Sequence, residues 1–470
     1  MTDTNEKLPV AVIGAGPVGL AAAANLIERG LTPLILESGE QAGAAIREWG
    51  HIRLFSPWRH NIDPASRRLL EATSWTEPRL SALPYGAELI EQYLEPLAAL
   101  PAISNALHTS TTVTAVSRVG MDKTHSRDRD GRPFLVRVRA ADGTVVDHRV
   151  RAVIDTSGTW AQPNPLGQAG LPAPGEAEAI ARALITGPLP DVTGRDRDRF
   201  AGKHILVIGA GHSAANTLIS LGQLAKNEPG TRISWAVRTP DATRLYGGGD
   251  LDGLPARGQL GTRLRKLVED GHIGLHTSFT TTSFDIAAAA GREALSVTGD
   301  TPDGRVKLDV DLLIPATGFR PDLDILREIR LELDPAVEAP RALGPLIDPE
   351  FHSCGTVPAH GAKVLAHPEK DFYIAGMKSY GRAPTFLLAT GYEQVRSITA
   401  ALAGDTTAAE QVHLELPETG VCSTDLGGSC DAPAENTDRD EAAESCCAAP
   451  EPVLIGTPTG LAHGRSSNAD

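Results

Sequence analysis

The chain has 470 residues and a formal net charge of −15, enough length for a sizeable core and two or three domains. Its acidic balance, with no basic stripe, argues against nucleic acid as a partner. No apolar run approaches the roughly 20 residues of a membrane span, and Met1 to Lys7 lack the charged and apolar regions of a signal peptide, so a soluble cytoplasmic protein without a membrane partner is expected.

The apolar run Leu8 to Ile13 ends in Gly14-x-Gly16-x-x-Gly19 and passes into an Ala-rich helical segment, Leu20 to Arg29. Leu31 to Leu36 then reads as a second buried strand, closed by Glu37. Strand, tight turn, helix, strand and a terminal acid about twenty residues beyond the glycines form a dinucleotide-binding pattern. Gly14 permits the turn, Gly16 lets backbone approach a pyrophosphate, and Gly19 lets helix and strand pack closely. The helix N-terminus holds phosphate charge with its free N–H groups and dipole, and Glu37 can accept hydrogen bonds from a ribose diol.

Gly43 to Trp58 is an irregular segment with aromatics and arginines, suited to covering a flat cofactor or to a loop anchored by Trp49 and Trp58. Ala87 to Leu100 has helical apolar spacing. From Leu107, the runs Thr111 to Ser117, Phe134 to Ala140 and Thr144 to Val150 alternate as strands, with a hairpin turn at Asp142-Gly143. A further strand begins at Ala152 and ends at Asp155-Thr-Ser-Gly158, and Gln162 to Gly175, rich in Pro and Gly, reads as a connector.

A second start follows. Lys203 to Ile208 leads into Gly209-x-Gly211-His-Ser213-Ala214, and the next strand, Arg232 to Arg238, ends in an arginine where the first unit has Glu37. An arginine suits the 2′-phosphate of NADP, which a carboxylate at that place would repel. The first unit is therefore built for an adenosine with a free ribose diol and the second for NADPH. Leu295 to Val310 reads as a hairpin turning at Asp303-Gly304, and the strand after it closes in Ala316-Thr317-Gly318. Asp371 to Arg382 reads as strand and turn, and Thr385 to Leu402 as helix. Beyond about Pro417 the composition shifts to Pro, Gly, Ser, Thr and acids, a flexible tail. From Glu415 onward eleven acids face Arg439 and Arg465, so nine of the fifteen net negative charges lie there.

Taken together, GxGxxG with Glu37, GxGxxA with Ser213 and Arg238, and Asp311 before Ala316-Thr317-Gly318 resemble the two-dinucleotide-binding flavoproteins over roughly residues 8–405. That superfamily includes flavin-containing and Baeyer–Villiger monooxygenases and thioredoxin reductases. Trp49 to Trp58, Gly209 to Ser213 and Lys378 to Phe386 are similar to the flavoprotein monooxygenases encoded with bacterial arsenic-resistance genes. The resemblance implies an α/β fold of two Rossmann-like domains: an FAD domain in two parts, 8–165 (with a β-meander at 107–150) and 309–412, an inserted NADP domain, 200–308, and the acidic Cys-containing tail, 417–470. It implies FAD and NADPH as cofactors, with Trp49, Gly158, Thr317, Gly318 and Gly376 joining the fingerprint residues around them. Two departures stand out. No histidine occurs between Gly158 and Lys203, where Baeyer–Villiger and N-oxidising relatives carry one, and Gly376-Met377 stands where many relatives have Gly-Asp.

No cysteine precedes Cys354, so the core has no redox dithiol in C-x-x-C or C-x-x-x-x-C spacing. Hydride transfer from NADPH to FAD, followed by reaction with molecular oxygen, would pass an oxygen atom to a small substrate at N, S or trivalent As. Arg59, Asn61, Lys378 and Arg382 are candidate donors to the flavin at that stage, or equally phosphate or surface contacts. The tail cysteines Cys422, Cys430, Cys446 and Cys447 suit a soft ion, and the adjacent pair is similar to the tail pair of mercuric reductase. An NADPH-dependent reductase of thiol-bound metal or metalloid, or a non-catalytic flavin-bearing binder of such ions, are the competing readings. His352, Cys354 and His360 have loose metal-ligand spacing, with a satisfied loop histidine the plainer account. Oligomeric state is open.

Overall fold

The computed structural model describes residues 7–246, 255–289, 292–349, 357–384 and 386–414. β1 (Val10–Ile13), α1 (Pro17–Glu28) and β2 (Pro33–Leu36) form the first βαβ unit. Pro17 occupies the first helical turn, where its missing N–H costs nothing, and Pro33 opens a strand, where no ladder bond is lost. α2 (Pro64–Glu71) is capped by the Asp63 carboxylate, which accepts from the Ser66 N–H at 2.7 Å. The chain then runs through β3 (Leu107–His108), the antiparallel strands β4 (Thr111–Arg118), β5 (Phe134–Ala140) and β6 (Val145–Val150), and returns to the first sheet as β7 (Ala152–Asp155).

The second βαβ unit is β8 (His204–Ile208), α3 (His212–Asn227) and β9 (Arg232–Ala236). α4 (Pro255–Glu269) and β10 (Gly274–His276) follow, then an antiparallel trio, β11 (Thr280–Ala289), β12 (Arg292–Thr301) and β13 (Gly304–Val310). β14 (Leu312–Pro315) closes the second sheet, β15 (Phe372–Ile374) returns to the first, and α5 (Leu388–Leu402) packs on α1.

Two parallel sheets result, ordered β15-β7-β1-β2-β3 and β10-β9-β8-β14. The inner strands β1 and β2 are continuous, fully buried apolar runs because both faces are covered. In β1, Val10 and Val12 face the helices, with Leu20 and Val395, while Ala11 and Ile13 face the meander, with Phe134 and Val136. The second sheet repeats the plan: Ile205 and Val207 pack with Leu218 and Leu264 of the helices, Leu206 and Ile208 with Phe284 and Leu295 of the antiparallel trio. The architecture is thus α/β with two Rossmann-like units, the first sheet built from two distant parts of the chain.

Three expectations need correction. The helix expected over Ala87 to Leu100 is interrupted: Gly86–Leu89 and Glu95–Ala98 are α-helical and Ile90–Leu94 is a π-turn. The strand expected from Leu31 begins at Pro33. The hairpin expected over Leu295 to Val310 is the outer part of a three-stranded sheet, whose β11 runs antiparallel to β12 from Thr280↔Asp300 to Ala289↔Arg292. The tail, with Cys422, Cys430, Cys446 and Cys447, lies outside the described residues, as do His352 and Cys354.

Candidate functional site

The first fingerprint turn is assembled by contacts that only glycine permits at two positions. Gly14 has φ +95°, and a Cβ on it would lie 3.0 Å from both Ser157 Cα and Thr156 O. A Cβ on Gly19 would stand 2.0 Å from the Gly14 carbonyl oxygen. Gly16 differs: a Cβ there would meet no atom within 4 Å. Its bare backbone faces open ground at the N-terminus of α1, the ground a pyrophosphate needs. The Thr156 hydroxyl, donating to Ile13 O at 2.8 Å, ties the β7 corner to this turn.

Glu37 is buried beside it. Its Oε2 accepts from the Ala15 N–H and its Oε1 from the Gly39 N–H, each at 2.7 Å. Oε1 also accepts from the Ser38 hydroxyl at 3.5 Å; a carboxylate has about four acceptor sites, so Oε2 retains capacity for a ribose hydroxyl. Gly158 has φ +72° with nothing near its Cβ position. Gly376 (φ +71°) would bring a Cβ to 3.3 Å from Val18 Cβ, and its N–H donates to Gln394 Oε1 at 2.8 Å. The segment expected to be irregular from Gly43 opens with a short helix, Ala44–Glu48, capped by Gly43 and Trp49; Trp49 lies against Gly86, where a Cβ would approach its ring to 3.0 Å.

The second fingerprint repeats the logic. Gly209 has φ +139°, and a Cβ would lie 2.0 Å from Ala316 O; at Gly211 nothing lies within 4 Å. Ala214 is buried in α3 and Ser213 is half-buried. The buried Trp235 donates its indole N–H to Gly209 O at 2.8 Å, fixing the turn from below. Arg238 is exposed two residues beyond β9, and among the described residues no ion pair uses its guanidinium. The Thr317 hydroxyl donates to Asn164 O at 2.7 Å, and the Asn164 side chain donates back to Thr317 O at 3.0 Å. With Gly318 (φ +81°) they zip together the two segments that cross between the sheets.

A family model described as an NAD(P)-binding Rossmann-like domain matches residues 12–67. No curated protein matches the chain. Among solved structures, bacillithiol disulfide reductase Bdr (YpdA) from Bacillus cereus superposes with a TM-score of 0.62 at 17% identity, over 84% of this chain and 99% of that one. DfoA, the FAD-bound cadaverine monooxygenase of Erwinia amylovora, gives 0.57 at 12% identity, over 87% and 96%. The Kutzneria sp. 744 ornithine N-hydroxylase KtzI gives 0.51 at 16%, over 85% and 99%. The fold is that of the two-dinucleotide-binding flavoproteins.

The four expected donors fall in different places. Asn61 is fully buried and engaged within its own turn: its Oδ1 accepts from the Ser56 hydroxyl, and its Nδ2 donates to Ser56 O and Pro57 O. Lys378 is also buried, its ammonium 2.6 Å from Asp155 Oδ2. Arg59 and Arg382 are exposed; Arg59 Nε contacts His60 Nε2 at 3.2 Å, and the Arg382 backbone N–H donates to Val337 O at 2.7 Å. His60 is held below the usual imidazole pKa by burial and, secondarily, by Arg59. His360 contacts Pro358 O at 2.9 Å through Nδ1 and the Gln394 amide nitrogen at 2.9 Å through Nε2, and burial lowers its pKa. Both ring nitrogens of this histidine thus have partners, one in its own loop and one on α5. No cluster of metal-ligating side chains occurs among the described residues.

Asp155, Asn164, Trp235 and Gln394 were not singled out by sequence reasoning. Gln394 carried a visible signal, an amide amid the apolar stretch of α5.

Proposed function

We propose that the chain is an FAD-dependent, NADPH-using monooxygenase that oxygenates a small substrate at a soft heteroatom: N, S or trivalent As. The observation that carries the reading is the pair of open glycine cradles with opposite charges beyond them, Glu37 at one and Arg238 at the other, in a core whose sequence has no cysteine before Cys354. The fit to FAD rests on the bare backbone at Gly16 and the spare acceptor capacity of Glu37. When bound, FAD supplies hydride acceptance and the activation of oxygen.

The chain's own residues bind and orient. The N–H groups at the start of α1 hold the FAD pyrophosphate, and Glu37 accepts from its adenosine ribose. Those at the start of α3 hold the NADPH pyrophosphate, while Arg238 pairs with the 2′-phosphate. Arg59 and Arg382, both with exposed guanidinium groups, are the donors left for the reacting end of the site. A soluble cytoplasmic setting suits the reading, and no described helix is long and apolar enough to cross a membrane.

The test is oxygen uptake with NADPH across sulfur, nitrogen and trivalent arsenic compounds, with product analysis. Stoichiometric uptake with an oxygenated product supports the proposal. NADPH consumption that needs a metal ion and no oxygen would select a reductase, and a bound flavin that NADPH fails to bleach anaerobically would select a binding protein. Serine in place of Cys446 and Cys447 should leave oxygenation within about two-fold of wild type, because oxygen transfer makes no use of a thiolate pair built for soft ions.

A further inference from the structure

Lys378 and Asp155 are 223 residues apart in sequence, and both side chains are wholly buried. The Lys378 ammonium donates to Asp155 Oδ2 at 2.6 Å and to Ser157 Oγ at 3.1 Å. Asp155 Oδ1 accepts from the Ser157 backbone N–H at 3.1 Å and from its hydroxyl at 2.7 Å. Asp155 ends β7, and Lys378 sits in the turn Gly376–Tyr380 that follows β15. The pair therefore bolts together the two corners flanking the first fingerprint, one beside Gly14 and the other beside Val18 of α1.

Sheet cohesion does not require this bond, since β7 and β15 are already paired through their backbones. Burying two charges to join two strands is also an uneconomical strut, because a well-packed apolar pair is often at least as stable. Ser157, by contrast, is the exposed member of the three, with its Cα 3.0 Å from the Cβ position of Gly14. Its hydroxyl proton goes to Asp155 and one lone pair takes the Lys378 proton, which leaves one acceptor site on an exposed residue.

We propose that Asp155 and Lys378 are positioning residues for the dinucleotide of the first site and act through the Ser157 hydroxyl, whose orientation they fix. Lys378 is then not itself a donor to the flavin, as the sequence alone suggested, but part of the pair that aims an acceptor, the Ser157 hydroxyl oxygen, at a hydroxyl of the dinucleotide. The proposal rests on the reading of that site as the FAD site.

The test uses the full chain stripped of flavin, titrated with FAD by fluorescence quenching, with thermal midpoints of each apoprotein in parallel. Ser157→Ala leaves the ion pair intact, so the midpoint should hold while the FAD Kd rises about five-fold, the equivalent of one lost hydrogen bond. Lys378→Met strands a buried carboxylate and should lower the midpoint by about 5 °C as well as weaken FAD. Asp155→Asn with Lys378→Met should recover most of the midpoint yet keep the raised Kd. Wild-type FAD affinity in both Ser157→Ala and the double variant would overturn the proposal and leave the pair a strut. Wild-type protein that takes up no FAD would instead sink the site reading and this proposal with it.

Discussion

Gly16 and Gly19 occupy one turn but answer to different neighbours. A methyl group on Gly16 would meet open ground, and its φ of −73° suits any residue, so Gly16→Ala should fold as well as wild type. On the proposed reading that methyl would fill the ground kept for the pyrophosphate, and FAD affinity should fall roughly ten-fold or more. Gly19→Ala drives a methyl onto the Gly14 carbonyl oxygen and should destabilise the apoprotein by at least about 2 kcal/mol. Urea denaturation and flavin titration of the two variants separate the effects; equal stability losses would refute the division of roles. At the second site, Arg238→Ala should raise the KM for NADPH roughly ten-fold, the worth of one charge-assisted contact to phosphate, and leave that for NADH nearly unchanged. Comparable changes for both coenzymes would remove the ground for choosing NADP. The glycine turns were legible because spacing within one βαβ unit sets their geometry. The burial of Lys378 was not legible, because its partner is 223 residues away and only the folded sheet brings them together.

Between Ala87 and Leu100, periodicity announced a helix but not its flaw. Pro96 has no N–H, so the Gln92 carbonyl four residues earlier cannot receive an ordinary helical bond. The backbone accommodates this with a π-turn in which the Glu95 N–H reaches back to Ile90 O. The Trp75 indole N–H then takes the freed Gln92 carbonyl at 2.7 Å. Trp75→Phe keeps most of the ring packing and removes that donor, so it should cost about 1 kcal/mol in a urea unfolding series. No change in midpoint would show that water replaces the indole without loss. The proline was visible in the sequence, whereas the tryptophan that repairs it was not, lying outside the helix. β11 was missed for a related reason: its Ala-rich end has low intrinsic strand preference, and pairing with β12 decides its conformation.

Across the whole molecule, two buried groups set opposing pH dependences on stability. Asp63, at the cap of α2, has a pKa pushed up to about 6 by burial, against hydrogen bonds from Ser66 and Asn25 that pull it down. Between pH 3.8 and 6 the folded chain keeps a proton that the unfolded chain releases, so stability falls as pH rises through that window, by about 3 kcal/mol. His367 runs the other way. Burial lowers its pKa to about 4, so acidification from pH 6.5 toward 4 protonates the unfolded chain first, and stability falls as pH drops. The two slopes oppose each other across much of the acidic range, and wild type should show a shallow profile there. Asp63→Asn removes one of them while keeping a side chain that can cap α2 through the Ser66 N–H. The variant should therefore melt higher than wild type at pH 7.5, lose that advantage as the pH approaches 4, and expose the full His367 slope. Calorimetry at several pH values between 4 and 7.5 decides the matter. An advantage of the Asp63→Asn variant that is absent at pH 7.5, or that does not shrink on acidification, would mean that the buried carboxylate is not held protonated by the fold.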